Sequence, residues 1–197
     1  MEGKILSVRT KEKKSTLIVI EIEADGKSKK YTVSEGTYRK VGCPLSGEII
    51  DGEALFAVER DDEQRRAMAK ALSLLSYADN NEKTLYTKLL RAGFGKETAK
   101  FATEECVRLG YVDERRQIER IILRSAAELI GPYKIITRLL TKGYSRALSF
   151  EILEELRQSG EIDFASMRDA LLQSKLPEGA TPLEKRKLLH RYGYTKC

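Results

Sequence analysis

The 197-residue chain contains no tryptophan, one histidine, three cysteines and four prolines. Each scarcity removes a class of chemistry. The lone histidine, His190, has no cysteine or carboxylate at ligand spacing, so neither a metal site nor a Ser-His-Asp arrangement can be assembled around it. Cys43, Cys106 and Cys197 are odd in number and far apart, which speaks against a disulfide framework or a paired zinc knuckle and fits a reducing compartment. Cys106 shares an apolar stripe with Phe101, Ala102 and Leu109 and reads as a small buried hydrophobe; Cys43 precedes a proline and Cys197 ends the chain, and neither suggests catalysis. No apolar run approaches the ~18 to 20 residues that span a bilayer, and the opening MEGKILSVRT holds no apolar core of signal-peptide length. The string Gly93-Phe94-Gly95-Lys96-Glu97-Thr98 lacks the four-residue spacer and the hydroxyl after lysine that a phosphate loop requires. We therefore expect a cytoplasmic protein that makes no membrane contact, holds no metal or cofactor, and is not an enzyme.

What the chain does contain is charge. Lysine and arginine number 36 against 30 aspartates and glutamates, a net charge of +6, while 41% of residues are hydrophobic. That balance fits a folded globular protein with much exposed helix surface and a modest preference for polyanions or acidic partners.

Two patterns of hydrophobicity divide the chain. Thr16 to Glu23 (TLIVIEIE) is β-branched and apolar and is followed by the turn signal Asp25-Gly26 and a second segment, Lys30 to Val33, which predicts a β-hairpin. Glu48 to Ile50 and Ala54 to Val58, separated by Asp51-Gly52, are expected to add short strands to a small twisted sheet. From Asp61 onward the apolar residues recur at three- and four-residue intervals, beginning with Ala67, Ala71, Leu72 and Leu75, as in amphipathic helices, and Asp61 with Gln64 suits a capping box. The expected domains are thus a β-rich region over residues 1–60 and a helical region over 61–197.

An internal repeat of period 50 runs through the helical region. Gly93, Gly143 and Gly193 are each followed by an aromatic residue (Phe94, Tyr144, Tyr194) and preceded four positions back by Leu89, Leu139 and Leu189. Gly110 and Gly160 keep the same register, Asp113 and Asp163 follow as N-caps, Pro132 and Pro182 match as first helical residues, and Leu72, Ile122 and Leu172 recur. The glycines suit left-handed helix ends onto which the next apolar residue folds, so their role is structural. Three units follow, 61–110, 111–160 and 161–197, each of three helices, except that after Tyr194 only Thr195, Lys196 and Cys197 remain and the third unit is incomplete. The fold class expected is mainly α, tandem three-helix repeats with a small N-terminal β-rich domain.

Basic residues are segregated rather than scattered. Arg115, Arg116, Arg120, Arg124, Lys134, Arg138, Lys142 and Arg146 stand against only Glu119 and Glu128, whereas the stretch from Ala147 to Ala180 is net acidic. Arg116, Arg120 and Arg124 are spaced for one helix face, Arg138, Lys142 and Arg146 repeat the spacing across the next helix end, and Lys185, Arg186, Lys187 and Arg191 form a third cluster. Such stripes suit a phosphate backbone, although any single cluster is also what a solvated helix face looks like.

The segments Lys88-Leu-Leu-Arg-Ala-Gly-Phe94, Leu109-Gly-Tyr-Val-Asp-Glu114 and Arg138-Leu-Leu-Thr-Lys-Gly-Tyr144 resemble the pattern of the RecX family, in which a leucine-bearing helix ends in a basic-Gly-aromatic turn and is followed by Gly-Tyr-aliphatic-Asp. The resemblance runs from Asp61 to the end of the chain, and the β-segment resembles the extension of longer RecX members. It implies a modulator that binds the RecA filament on single-stranded DNA, hinders extension or promotes disassembly, suppresses ATP hydrolysis and strand exchange, and needs no nucleotide. The partners implied are the RecA nucleoprotein filament and, weakly and without sequence preference, single-stranded DNA, with the protein itself a monomer. The twelve basic residues named above are the candidate contact residues. A competing reading is an autonomous DNA-binding protein, since two helices joined at Gly93-Phe94 or Gly143-Tyr144 resemble a helix-turn-helix.

Overall fold

Strands β2 (Leu17–Ala24) and β3 (Lys27–Ser34) pair antiparallel around Asp25 and Gly26, whose φ values of 51° and 71° give the turn the positive φ at both central residues that matches strand twist. In this computed structural model, which describes residues 2–10 and 16–195, β1 (Gly3–Thr10) adds to β2 and the two-residue β4 (Ile49–Ile50) adds to β1, giving the order β3-β2-β1-β4. Alternation along β2 turns Ile18, Ile20 and Ile22 inward, where they pack with Ile5, Tyr31, Val33 and Ile50.

The sheet is closed by a helix that the hydrophobic pattern does not announce. The short α1 (Glu35–Lys40) is followed by α2, which spans Gly52–Tyr77, so the segment Ala54 to Val58 is helical and not a strand. The reason is local: Asp51 caps the helix by accepting from the Ala54 N–H at 2.8 Å, and Leu55 and Val58, three apart, both turn into the sheet core. Asp61 therefore lies inside a helix and caps nothing. Its carboxylate instead accepts from the Ser34 N–H at 2.6 Å, and the neighbouring Asp62 accepts from the Thr32 N–H at 2.9 Å. Two outward amides of the edge strand β3 are thereby satisfied by helix carboxylates, which blunts an edge otherwise open to pairing.

The chain forms two compact units. The first ends its two segments at Ala78 and Tyr111, so the boundary expected near residue 60 falls within α2 and the sheet shares a unit with the first helices. Here α2 packs with α4 (Lys96–Arg108) through small residues, Ala67, Ala71, Ala99, Ala102 and Cys106, all fully buried, which lets the helix axes approach. The buried face of α3 (Glu82–Arg91) adds Leu85 and Leu89 to this unit.

The second unit holds Asp79–Thr84 and the described chain from Val112 onward. It contains α5 (Glu114–Ala127), α6 (Pro132–Thr141), α7 (Arg146–Gln158), α8 (Phe164–Lys175) and α9 (Pro182–Tyr192). Its core is largely aliphatic: Ile118, Ile122, Ile135, Leu139, Ile152 and Leu156, with Tyr144. Asp113 and Asp163 cap α5 and α8, and Pro132 and Pro182 open α6 and α9, as expected. The leucine register is looser than the sequence suggests: Ile122 is buried, but Leu72 is 39% exposed and Leu172 only partly buried, whereas Ala71 and Leu171, one residue earlier, are fully buried. Cys197 lies outside the described residues.

Candidate interaction surface

The repeated glycines position everything else. Gly93, Gly143 and Gly193 have φ of 92°, 90° and 83°, and behind each the next aromatic donates its backbone N–H to the carbonyl of the leucine five positions earlier: Phe94 to Leu89, Tyr144 to Leu139, Tyr194 to Leu189. The glycine itself donates to the following residue's carbonyl (Leu90, Leu140, His190), completing the paired bonds that seal a helix C-terminus. Gly110 and Gly160, at φ 75° and 80°, end α4 and α7 in the same left-handed conformation. The aromatic then packs inward. Tyr144 donates its hydroxyl to Gln117 Oε1 at 2.9 Å, and Gln117 Nε2 donates to the Asn80 carbonyl at 3.3 Å; burial pushes the tyrosine's pKa up and keeps it neutral. Asn81, also buried, donates to the Lys142 carbonyl at 2.8 Å and accepts from the Thr84 N–H, so the turn after α6 is held by a residue 61 positions earlier.

The tertiary structure sorts the twelve candidate cations into tied and outward groups. Arg115 bridges α5 to α7 by clamping Glu151 and Glu155, the latter at 2.5 Å, which also strengthens its hold on its proton. Arg138 reaches from α6 to Ser125 Oγ of α5 and to Glu128 at its C-cap, at 3.2 and 3.0 Å. Lys134 Nζ donates to the Arg191 carbonyl at 3.0 Å, and Arg120 pairs with Asp79 at 3.1 Å. These four work largely as struts. Arg124, with 85% of its side chain exposed, has only a loose 3.8 Å approach to Glu128. Arg116, Lys142, Lys185, Arg186, Lys187 and Arg191 are exposed and their charged groups form no ion pair among the described residues. Arg138, Lys142 and Arg146 do not form one helical stripe, because α6 stops at Thr141 and α7 begins at Arg146 with the turn between them.

Sequence reasoning missed the apolar feature beside these cations. Pro132, Tyr133, Ile136 and Leu140 of α6 face Phe150 and Arg146 of α7 across a groove of about 580 Å³. Tyr133, Leu140 and Phe150 remain 44%, 38% and 45% exposed, and the Arg146 guanidinium lies 5.5 Å from the centre of the Phe150 ring. The signal was present as apolar residues on α6, Tyr133 and Leu140, beyond the buried Ile135, Ile136 and Leu139, but nothing in the sequence says which of them is left uncovered. No group of three or more potential metal ligands occurs among the described residues, and no described helix is long and apolar enough to cross a membrane.

Known proteins similar to this chain are named RecX. The chain is 29% identical over 109 residues to a protein named Regulatory protein RecX from Chlorobium phaeobacteroides, and 29% identical over 116 residues to one of the same name from Pelodictyon phaeoclathratiforme; each alignment covers 55% of this chain and 72% of the relative. A crystal structure of regulatory protein RecX superposes with a TM-score of 0.67 at 18% identity, covering 96% of this chain and 91% of that one. No family model matches the chain. Its likeness to RecX therefore holds both in sequence and in fold.

Proposed function

We propose that this chain, which shares its sequence pattern and fold with regulatory proteins named RecX, regulates a RecA recombinase by binding its nucleoprotein filament and restraining filament extension, ATP hydrolysis and strand exchange. The observation that carries the reading is the groove between α6 and α7: an uncovered apolar surface with two rigid aromatics, rimmed by Arg146 and followed by the outward Lys142. Aromatic side chains at the centre with arginine and other polar groups around them are the make-up of a protein-binding surface. A bare phosphate backbone would gain little from Leu140 and Ile136. Arg116, Arg124, Lys185, Arg186, Lys187 and Arg191 supply further outward charge for an acidic partner or for the filament's DNA, which fits weak, sequence-independent contact with single strands.

The test is RecA-dependent ATP hydrolysis on single-stranded DNA. The wild-type chain is expected to suppress it. Phe150→Ala with Leu140→Ser empties the groove without touching the buried core and should abolish suppression, and Arg116→Glu with Lys142→Glu should weaken it in a salt-dependent way. A folded groove variant that suppresses as well as the wild type would remove the reading.

A second reading, an autonomous DNA-binding protein, draws on the four-residue turn, Lys142 to Ser145, that joins α6 to α7 as in a helix-turn-helix. It requires tight, sequence-dependent binding to naked duplex, which direct titration against specific and scrambled DNA measures.

A further inference from the structure

The first unit carries a cationic depression of its own. Where α2 crosses the edge strand β3, Lys29 and Lys30 of the strand meet Arg65 and Arg66 of the helix around a hollow of about 460 Å³, with Thr32, Asp62 and Ala69 completing its lining. We propose that this hollow is a phosphate-binding site for a nucleic-acid backbone.

Four observations bear on it. The lining carries four cations and one acid, and that acid is committed: Asp62 accepts from the Thr32 N–H at 2.9 Å and from Arg66 Nε at 2.9 Å. Arg65 forms no ion pair among the described residues, and its Nε is buried without a hydrogen-bond partner, which leaves a donor unsatisfied at the hollow. Lys29 is held over the Tyr31 ring with its Nζ 4.7 Å from the ring centre, and Lys30 makes only a 3.9 Å approach to Glu21, so both ammonium groups keep donors to spare. The strand edge itself contributes. Since the Thr32 and Ser34 amides point away from β2 to their aspartates, the alternation of an antiparallel ladder points the Lys30 amide outward as well, at the rim of the same hollow.

The chemistry favours phosphate over an acidic peptide. The hollow is lined by compact donors and has no exposed aromatic or branched aliphatic side chain to anchor a peptide, whereas a phosphodiester asks only for close charge and N–H donors. The site belongs to the first unit, and the inference does not rest on the function proposed above for the second.

The experiment uses the full chain and a fluorescein-labelled oligothymidylate, with anisotropy measured over a range of salt concentrations. Neutralising Lys29→Gln, Lys30→Gln and Arg65→Gln together should make the plot of log affinity against log salt shallower by about 2, at about 0.7 per lost phosphate contact on a single strand, and weaken binding roughly tenfold at low salt. Lys29→Arg, Lys30→Arg and Arg65→Lys should restore the wild-type slope. Lys29→Gln with Lys30→Gln alone touches only exposed strand positions, so it keeps the fold in hand and should show about two thirds of the triple variant's change in slope. An unchanged slope in these neutral variants overturns the inference. So does a variant that loses binding to polyglutamate while holding the oligonucleotide as before, since that assigns the hollow to an acidic protein segment.

Discussion

Replacing Gly131 by alanine should loosen one specific joint in the second unit. Gly131 caps α6 with φ −77°, a conformation that alanine adopts freely, and elsewhere a Gly→Ala change of this kind stabilises by about 0.4–1 kcal/mol through the unfolded chain. Here the C-terminus of α9 is docked end to end on the N-terminus of α6: the Gly131 N–H donates to the Tyr192 carbonyl at 2.7 Å, the Tyr133 N–H to the Gly193 carbonyl at 3.1 Å, and Lys134 Nζ to the Arg191 carbonyl. Orphan amides of one helix satisfy orphan carbonyls of the other. A Cβ on Gly131 would sit 2.4 Å from the Gly193 oxygen and 2.5 Å from its carbonyl carbon, both backbone atoms that cannot swing aside. The joint must open, forfeiting three hydrogen bonds at about 0.5–1.5 kcal/mol each, so the expected loss is roughly 2–4 kcal/mol. Gly160→Ala is the control: its φ is 80°, nothing lies within 4 Å of the new Cβ, and the cost should be only the left-handed strain of about 1–2 kcal/mol. Urea denaturation gives the totals, and amide exchange at Tyr133 reports the joint itself. If Gly131→Ala costs no more than Gly160→Ala and the Tyr133 amide stays protected, α9 is not docked on α6 through Gly131.

Other consequences can be checked separately. Asp62→Ala strips the Thr32 amide of its acceptor and should cost about 1–3 kcal/mol, with faster exchange at Thr32; unchanged protection there would deny the carboxylate its role in holding β3. The Cys106 thiol is pushed up in pKa, first by burial and then by Glu105, so a disulfide reagent at mildly alkaline pH should label exposed Cys43 and leave Cys106 untouched until denaturant is added; equal labelling rates would contradict the packing of α2 on α4. The Asp163 carboxyl is held below the usual aspartate range by the Ser166 hydroxyl and then by the Ala165 and Ser166 amides. A lowered folded-state pKa contributes stability above the unfolded value that is lost as pH falls through the folded one, so exchange at the start of α8 should quicken on acidification. Asp163→Asn should flatten that dependence, and an equally steep one in the variant would assign it to another group.

The features that were legible in the sequence are those decided within a few residues. Asp25-Gly26 needs only its own two dihedrals to turn a hairpin, Asp113 and Asp163 reach amides two or three residues ahead, and the leucine, glycine and aromatic of each repeat complete their bonds within six positions. The 50-residue period is the spacing of those local devices, which is why it was visible without coordinates. Partners far along the chain were not. Asp61 read as a helix start, and Asp62 showed no role, because their strand amides, on Ser34 and Thr32, lie about thirty positions upstream. Arg115 counted among free cations because Glu151 and Glu155 come 36 and 40 residues later, and Arg120 because Asp79 comes from before α3. Composition and register thus determined the repeat and its helix ends. Only tertiary packing decided which charges cancel and which apolar faces stay open, since a charge pair or a buried face depends on separation in space, and sequence distance does not set that once the chain has turned back on itself.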